Sequence, residues 1–179
     1  MTKQLFKLGL AFSILLITAC SHSHDDNGHE KNDTSMDTAT LKATVQKFYD
    51  ALSTTPNDST AAATTEWMAN DWNSSPTPQG GAGLEGFVKT LFMFHGMIPD
   101  LKWDVQEMLV DGNRVIVRSK ASGTPNSPEG YFFGVPTDGN KSFEVQTIDI
   151  HTVEDGKMTT AFHVEDWATA IQQVSPQAN

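Results

Sequence analysis

The stretch KSFEVQTIDIHTVEDGKMTTAFHVEDW, residues 141–167, decides the fold. Polar and apolar side chains alternate on both sides of Asp155-Gly156, a dipeptide typical of tight turns. Since side chains of a strand point alternately to its two faces, the pattern predicts an antiparallel hairpin. One face of this hairpin is apolar, which favours a homodimer through it. Its residues are Ile148, Ile150, Phe162 and Val164.

Asp149 and His163 lie at roughly matched distances from the predicted turn, to within one residue of register. They could therefore pair across the two strands. A carboxylate raises the pKa of a neighbouring imidazole and fixes its tautomer, as a general acid/base needs near neutral pH. The same pair could equally satisfy two polar groups within a sheet. The pattern predicts His163 and Asp149 as candidate catalytic residues, with a structural pair as the alternative.

Other polar and aromatic residues could border the same space. Asp166 precedes WATAIQQ and is a good N-cap for a final helix, which competes with its interpretation as a pocket residue. His95 lies on the apolar side of a predicted helix, where a histidine is more often a satisfied core residue. Trp103 is a further pocket candidate. We expect Glu165 at the rim of the site and His151, nearer the turn, in solvent.

The order of the elements predicts the fold class. Helical periodicity or capping signals occupy residues 41–52, 58–72 and 83–98, ahead of Pro99. Strand-like segments follow at 101–110, 113–123, 141–153 and 157–166, and Tyr131 to Val135 could pair at an edge. Helices followed by an antiparallel meander indicate an α+β fold in which the helices cover one face of the sheet.

The first residues have the layout of a bacterial lipoprotein signal. Lys3 and Lys7 precede an apolar run, and Ile17-Thr18-Ala19 leads to Cys20, the only cysteine. The pattern predicts a signal peptide over 1–19 and a lipid on Cys20, with a plain signal peptide as the alternative. The protein would then face the periplasm on a lipid anchor, and Ser21 after Cys20 favours the outer membrane, as in known lipoproteins.

Residues 20–40 contain almost no large apolar side chain and are predicted to be a flexible tether. Their histidines and acids could bind zinc or copper, although a solvated linker explains them as well. The formal net charge is −10, and the basic Lys3 and Lys7 belong to the predicted signal peptide. This acidity excludes nucleic acid and anionic lipid surfaces as partners, because both need clustered basic residues.

The chain contains four characteristic phrases: Pro99-Asp100-Leu101, Asp111-Gly112-Asn113-Arg114-Val115, Gly134-Val135-Pro136-Thr137 and Asp155-Gly156-Lys157. They resemble the SnoaL-like polyketide cyclases, or ester cyclases, of the nuclear transport factor 2-like superfamily. The resemblance covers residues 41–174, within a predicted domain of 41–175. It implies a cone-shaped α+β barrel, often dimeric, with a curved antiparallel sheet and helices around a mostly apolar pocket.

The resemblance also implies a reaction without metal or cofactor. In the characterised cyclases, an aspartate on the last strand is the acid/base of an intramolecular aldol closure, with a histidine on the preceding strand nearby. Matching on Asp155-Gly156-Lys157 puts that aspartate's position at His163 and the histidine's position at Asp149. The two residue types are exchanged here, so we expect His163 to be the base and Asp149 to orient it.

Three functions follow as expectations. The first is a cofactor-independent acid/base enzyme, lyase or isomerase in type, that acts on an apolar carbonyl compound inside the barrel. The second is a non-catalytic envelope lipoprotein that binds an apolar small molecule. The third is an envelope protein that binds metal through its His-rich tether.

Overall fold

The computed structural model describes residues 36–126 and 130–176, so the predicted signal peptide, Cys20 and most of the tether lie outside the described residues. No helix in the described part of the chain has the length and apolar character needed to cross a membrane. The helices are α1 (Thr38–Leu52), α2 (Thr60–Thr64), α3 (Gly83–Met97) and α4 (Trp167–Val174). The strands are β1 (Met68–Ser75), β2 (Lys102–Asp111), β3 (Arg114–Gly123), β4 (Tyr131–Phe132), β5 (Val135–Pro136), β6 (Phe143–Glu154) and β7 (Lys157–Glu165).

A curved, unclosed sheet in the order β1-β7-β6-β3-β2 forms the body of the molecule, and β4 and β5 pair as a separate ribbon. The predicted α+β class is confirmed. The meander β2-β3-β6-β7 is antiparallel, as expected, but β1 pairs with β7 in parallel, so the sheet is mixed. Helix α1 packs on β2 and α3 packs on β1, which places both helices over one face of the sheet.

Strand β1 lies in a segment predicted to be helical. Of residues 58–72, only Thr60–Thr64 form a helix, and the chain extends from Met68 onward. The tertiary pairing overrides the local signal: the amide of Met158 donates to the carbonyl of Trp67 at 2.8 Å. Since β7 comes about ninety residues later, local periodicity did not show this partner.

Helix α1 begins inside the segment predicted to be tether. Asp37 caps it by accepting hydrogen bonds from the amides of Ala39 and Thr40 at 2.8 and 3.0 Å. Helix formation therefore starts at Thr38, ahead of the predicted boundary at residue 41. The short polar residues in this first turn hid the helix from an argument based on apolar spacing.

A bulge in the hairpin corrects the predicted alternation of β7. Thr152 pairs with Thr160 and Val153 with Met158, so Thr159 is an extra residue on β7. Beyond it the faces exchange, and Met158 is fully buried although the sequence assigned it to the face of Phe162 and Val164. From Ala161 onward, the odd-numbered side chains point to the inner face of the sheet. The bulge thereby leaves His163 and Glu165 on the face that the helices cover.

Candidate active site

The inner face of the sheet holds a cavity of about 210 Å³. Its wall is mostly aromatic and aliphatic, and its polar groups come chiefly from β1, β6 and β7. The residues that line it are Phe48, Leu52, Trp72, Ser74, Pro76, Thr77, Pro78, Gln79, Phe87, Thr90, Phe94, Trp103, Asp149, His163, Glu165 and Trp167. Both residues predicted to be catalytic therefore border a single largely apolar space.

Asp149 is a buried carboxyl group in this wall, with 2 % of its surface exposed. The hydroxyl of Tyr49 donates to its Oδ2 at 2.9 Å, and that of Thr147 approaches the same oxygen at 3.4 Å. Burial raises the pKa of Asp149 to about 7, and the charge of Glu165 raises it too, although the Tyr49 hydrogen bond opposes the shift. The carboxyl group can thus take up and release a proton near neutral pH.

His163 is the cross-strand neighbour of Asp149, which confirms the predicted register. Its hydrogen bonds, however, go elsewhere: Nδ1 lies 2.6 Å from Oε1 of Glu165, and Nε2 lies 2.9 Å from the carbonyl oxygen of Pro76. A carbonyl oxygen only accepts, so Nε2 carries a hydrogen. The contact between Nδ1 and Glu165 then needs one further proton, held by the imidazole or by the carboxyl group.

The pairing makes His163 more basic than an ordinary histidine. Burial lowers the pKa of His163, but the hydrogen bond and the negative charge of Glu165 outweigh burial, and the net shift is upward. Glu165 is not the rim charge that the sequence suggested, because its side chain is only 13 % exposed and lines the cavity. The acidic partner of His163 is therefore the residue two positions along its own strand.

Asp149, His163 and Glu165 offer ligand atoms that all lie within 4.8 Å of one another, so within the described part of the chain these three could hold a divalent cation. The contact between His163 and Glu165 favours a different use. Two ligands of one ion at coordination distances of about 2.1 Å lie roughly 2.9 Å apart or more. The observed 2.6 Å is the length of a charge-assisted hydrogen bond.

A buried polar chain continues behind Asp149. The Tyr49 hydroxyl also contacts Nε2 of His151 at 2.9 Å, and His151 is completely buried. The prediction of a solvated His151 is wrong, since β6 alternates and directs this ring against α1. Burial and, to a lesser degree, the charge of His163 lower the pKa of His151 to about 3, so the ring is neutral. A neutral ring that donates from Nε2 to Tyr49 leaves the tyrosine free to donate to Asp149.

The three weaker candidates from the sequence differ in whether they line the cavity. Trp103 lines the cavity, and its indole N–H donates to the hydroxyl of Thr147 at 3.2 Å. His95 is buried and donates to the carbonyl of Leu52, and it is not among the described residues that line the cavity. Asp166 is also outside that lining: it accepts from the amide of Thr169 at 3.0 Å and caps α4. Hydrogen bonds from Thr169 lower the pKa of Asp166.

Sequence reasoning missed Tyr49 and Ser74 of this site and gave the indole N–H of Trp72 no role. Tyr49 lies in the apolar stripe of α1, and a tyrosine buried there needs a partner for its hydroxyl, which was a usable signal. Trp72 ends the segment that was assigned to a helix, and Ser74 lies just beyond it, so neither was placed on a strand. Alternation along β1 would have placed both on its inner face.

Comparisons with known proteins identify the fold and the family. No curated protein matches the chain. TsrD from Streptomyces laurentii superposes with a TM-score of 0.64 at 22% identity over 77% of this chain and 96% of its own. A proposed polyketide cyclase from Bacillus cereus ATCC 10987 gives 0.60 at 26% identity over 75% of this chain and 79% of its own. A proposed SnoaL-like polyketide cyclase from Jannaschia sp. CCS1 gives 0.63 at 19% identity over 84% and 100%.

The family match covers most of the chain. The model of the SnoaL-like polyketide cyclases matches residues 43–174, which include every helix and strand described here except the start of α1. This match supports a cyclase- or isomerase-type function. The chain belongs to the SnoaL-like polyketide cyclase family.

Proposed function

We propose that the protein is an ester cyclase-type enzyme that performs acid/base chemistry, lyase or isomerase in type and without a cofactor, on a small apolar carbonyl compound. One observation carries the proposal. Asp149, His163 and Glu165 gather in one corner of a cavity that is otherwise lined mainly by apolar groups. A buried carboxyl group with a pKa of about 7 beside a basic imidazole is a combination that enzymes use for proton transfer.

The hydrogen bonds favour a different division of roles from the one that the sequence suggested. His163 was expected to be the base, but both of its ring nitrogens are engaged, by Glu165 and Pro76. Asp149 uses Oδ2 for its hydrogen bonds, and no hydrogen bond from a described residue reaches Oδ1. We therefore assign the proton-accepting role to Asp149 and the role of a neighbouring positive charge to His163.

The proposed reaction begins at the carbon next to the carbonyl group. The Asp149 carboxylate takes a proton from that carbon, and the electron pair left behind moves toward the carbonyl oxygen to give an enolate. The protonated His163 stabilises the new negative charge. The enolate is then either protonated by Asp149 at a different atom, which is an isomerisation, or its carbon attacks a second carbonyl carbon of the same molecule, which closes a ring. In the ring closure, the π bond of the attacked carbonyl group opens and its oxygen takes up the proton from Asp149.

Relatives and cavity size bear on the substrate. The structural relatives from Bacillus cereus and Jannaschia are described as proposed polyketide cyclases, which favours ring closure. The cavity of about 210 Å³ is below the common range of roughly 300–1,000 Å³ for ligand sites. We therefore propose a compact substrate rather than a long polyketide chain.

Hydrogen–deuterium exchange tests the proposal without the natural substrate. Acetophenone carries weakly acidic protons next to its carbonyl group, and their exchange in D₂O is followed by proton NMR. We expect the protein to accelerate the exchange, and Asp149→Asn to lower that rate by about 10² to 10⁴. Asp166→Asn is the matched control, because Asp166 caps α4 and lies outside the cavity lining. Equal rates in the wild type and Asp149→Asn would reject the role of Asp149.

A non-catalytic binding protein is the second candidate. It is favoured by the internal satisfaction of the polar corner, since His163, Glu165 and Tyr49 all have protein partners. In that case Asp149→Asn changes ligand affinity modestly, and no compound is chemically altered. Recovery of an unchanged apolar molecule from the purified protein, together with no exchange of acetophenone protons, would favour this candidate.

We also propose attachment to the cell envelope through a lipid on Cys20, facing the periplasm and with the outer membrane favoured. The support comes from the sequence of residues 1–20, which lie outside the described residues. Labelling of growing cells with an alkyne analogue of palmitate should mark the wild type and leave Cys20→Ala unmarked. Labelling of both forms would reject the anchor.

The outer face of the sheet supports a homodimer. Side chains that are neighbours across β7, β6, β3 and β2 form two rows on this face. One row is entirely apolar, and the other ends in the ion pair between Arg118 and Glu107. Both charge signs on one face allow a second copy, turned by a two-fold axis, to present complementary groups. The apolar row is Phe162, Ile150, Ile116 and Leu109.

A further inference from the structure

Two buried polar atoms in the cavity wall have no hydrogen-bond partner among the described residues. They are Nε1 of Trp72 and Oγ of Ser74. Trp72 is 2 % exposed and Ser74 is 6 % exposed. Both residues line the cavity. A buried donor without a partner destabilises the folded protein, so unpaired groups of this kind need an explanation.

The other buried hydroxyl and indole N–H groups of the lining are already occupied. The Thr90 hydroxyl donates to the carbonyl of Gly86 and accepts from the amide of Gly80. The indole N–H of Trp103 is bonded to Thr147. Trp72 and Ser74 therefore differ from their neighbours in having hydrogen-bonding capacity left for a ligand.

The local structure fixes these two residues side by side. They are two positions apart on β1, so both side chains project to the same face. Ser74 pairs with Ala161 of β7, and the Trp72 ring packs against Phe87 and Phe48 with centroids 5.6 and 6.3 Å away. The strand pairing and the aromatic contacts hold the two donors in place before a ligand arrives.

We infer that Trp72 and Ser74 form the subsite that holds the carbonyl oxygen of the ligand. An indole N–H can only donate, and a serine hydroxyl can donate alongside it, so the matching group is an acceptor such as a ketone or ester oxygen. The inference rests on the proposed function and deepens it. During the reaction, the same two donors stabilise the negative charge that develops on that oxygen.

The order of the strands gives this subsite a place in the reaction. Strand β7 lies between β1 and β6, so His163 lies between the donors on β1 and Asp149 on β6. A carbonyl compound bound with its oxygen toward β1 directs its neighbouring carbon toward β7 and β6. The bound molecule then has its acceptor at one side and the proton-accepting carboxylate at the other.

A pair of ligands of equal shape tests the subsite. Acetophenone and α-methylstyrene differ only in a carbonyl oxygen replaced by a CH₂ group. The full-length protein contains four tryptophans, and the indole N–H signal of Trp72 is assigned by its loss in Trp72→Phe. We expect acetophenone to move this signal downfield and α-methylstyrene to leave it nearly unchanged, while the signal of Trp103 stays in place with both.

Affinities provide the second readout. Ser74→Ala should weaken acetophenone binding about 3- to 10-fold and leave α-methylstyrene binding unchanged. Ser119→Ala is the matched control, since it removes a buried serine hydroxyl that is bonded to Thr147 and lies outside the cavity lining. It should alter neither affinity.

The results separate this subsite from the proposed catalysis. Equal affinity of the wild type for both compounds, an equal loss of both in Ser74→Ala, or an unmoved Trp72 signal at the solubility limit of acetophenone would overturn the subsite. Proton exchange that depends on Asp149 would still stand in each of these cases. Carbonyl selectivity without any proton exchange would instead retain the subsite and reject the catalytic proposal.

Discussion

The two faces of the hairpin β6-β7 reverse the usual distribution of polarity. The inner face of β6 carries polar side chains that are almost completely buried, namely Thr147 at 1 %, Asp149 at 2 % and His151 at 0 % exposure. The outer face exposes large apolar side chains, namely Ile148 at 52 %, Phe162 at 55 % and Val164 at 71 %. Folding of an isolated chain would favour the opposite arrangement. This reversal is what we expect if the inner face serves the proposed acid/base chemistry and the outer face the proposed dimer.

The largest expected effect is on the free energy of unfolding, because the buried carboxyl group of Asp149 destabilises the folded protein when it is charged. Its folded-state pKa of about 7 lies above the ordinary 3.8, so the stability linked to its proton is present at low pH and is lost as pH rises from 3.8 to 7. A shift of that size corresponds to a free energy on the order of 4 kcal/mol. Asp149→Asn should remove this loss, as urea unfolding between pH 4.5 and 8 will show.

Other groups shape the same pH range, so the difference between variant and wild type is the informative quantity. The raised pKa of His163 also makes stability fall as pH rises above 6.5, whereas the lowered pKa of His151 makes stability fall as pH drops from 6.5 toward 3. Asp166→Asn is the control of opposite sign: its pKa is lowered, so its contribution is lost on acidification. If the unfolding free energies of the wild type and Asp149→Asn change with pH in parallel, the buried carboxyl group does not destabilise the protein as pH rises.

Glu165→Gln removes the negative charge of Glu165 and so tests its effect on the positive charge of His163. The glutamine keeps the shape but loses the negative charge that holds the proton on His163, so the pKa of His163 should fall. Proton exchange of acetophenone should slow about a hundredfold, the lower end of the range for acid/base groups. NMR titration of the histidine and the exchange rate measure the two effects.

The control for this change lies on the outer face of the same sheet. Glu144 is 61 % exposed in its side chain and pairs with Lys120 at 2.6 Å. Glu144→Gln should leave both the His163 titration and the exchange rate unchanged. An unaltered His163 pKa in Glu165→Gln would mean that the hydrogen bond between them is not the source of the basicity.

The outer face is tested by Phe162→Ser. If a second copy covers this face, the loss of the large aromatic at the β7 end of its apolar row should weaken the dimer at least about tenfold, as seen by sedimentation at several concentrations. Phe92→Ser is a matched control, because Phe92 is similarly exposed at 47 % but lies on α3. A wild type that stays monomeric at high concentration would reject the dimer.

The comparison of the faces also shows what the sequence could predict. The turn at Asp155-Gly156 and the alternation were enough to bring Asp149 and His163 together to within one residue of register, and the bulge at Thr159 sets the exact pairing. The contact of His163 with Glu165 needed more, since both lie on the same strand and only the packing around Pro76 brings their atoms together. Neighbours along the chain determine turns and faces, whereas hydrogen bonds inside a cavity depend on distant segments.

Strand β1 illustrates the same limit for the fold. Its pairing with β7 is parallel and long-range, so nothing in the residues around Trp72 distinguishes a bulged strand from a short helix. The order of helices before strands still predicted the α+β class correctly. The inner wall formed by β1, which supplies two donors of the cavity, became visible only in the folded structure.

The smallest expected effect compares one substitution on the two faces. Val117 is completely buried on the inner face and Val164 is 71 % exposed on the outer face. Valine and threonine are nearly equal in size, so each substitution to threonine mainly adds a hydroxyl group. Val117→Thr should lower the unfolding free energy by about 1–3 kcal/mol, because the hydroxyl is buried without a designed partner. Val164→Thr should change it by less than about 0.5 kcal/mol in the monomer.

Protein concentration adds a second test to the comparison of the two valine variants. At protein concentrations where a dimer forms, Val164 would be buried against the second copy, and Val164→Thr should then become destabilising while Val117→Thr keeps its effect. Urea unfolding of both variants at low and high protein concentration therefore distinguishes an apolar residue that stays exposed from one that is buried in a dimer interface. A Val164→Thr effect that stays near zero at every concentration would mean that the outer face is apolar without being an interface.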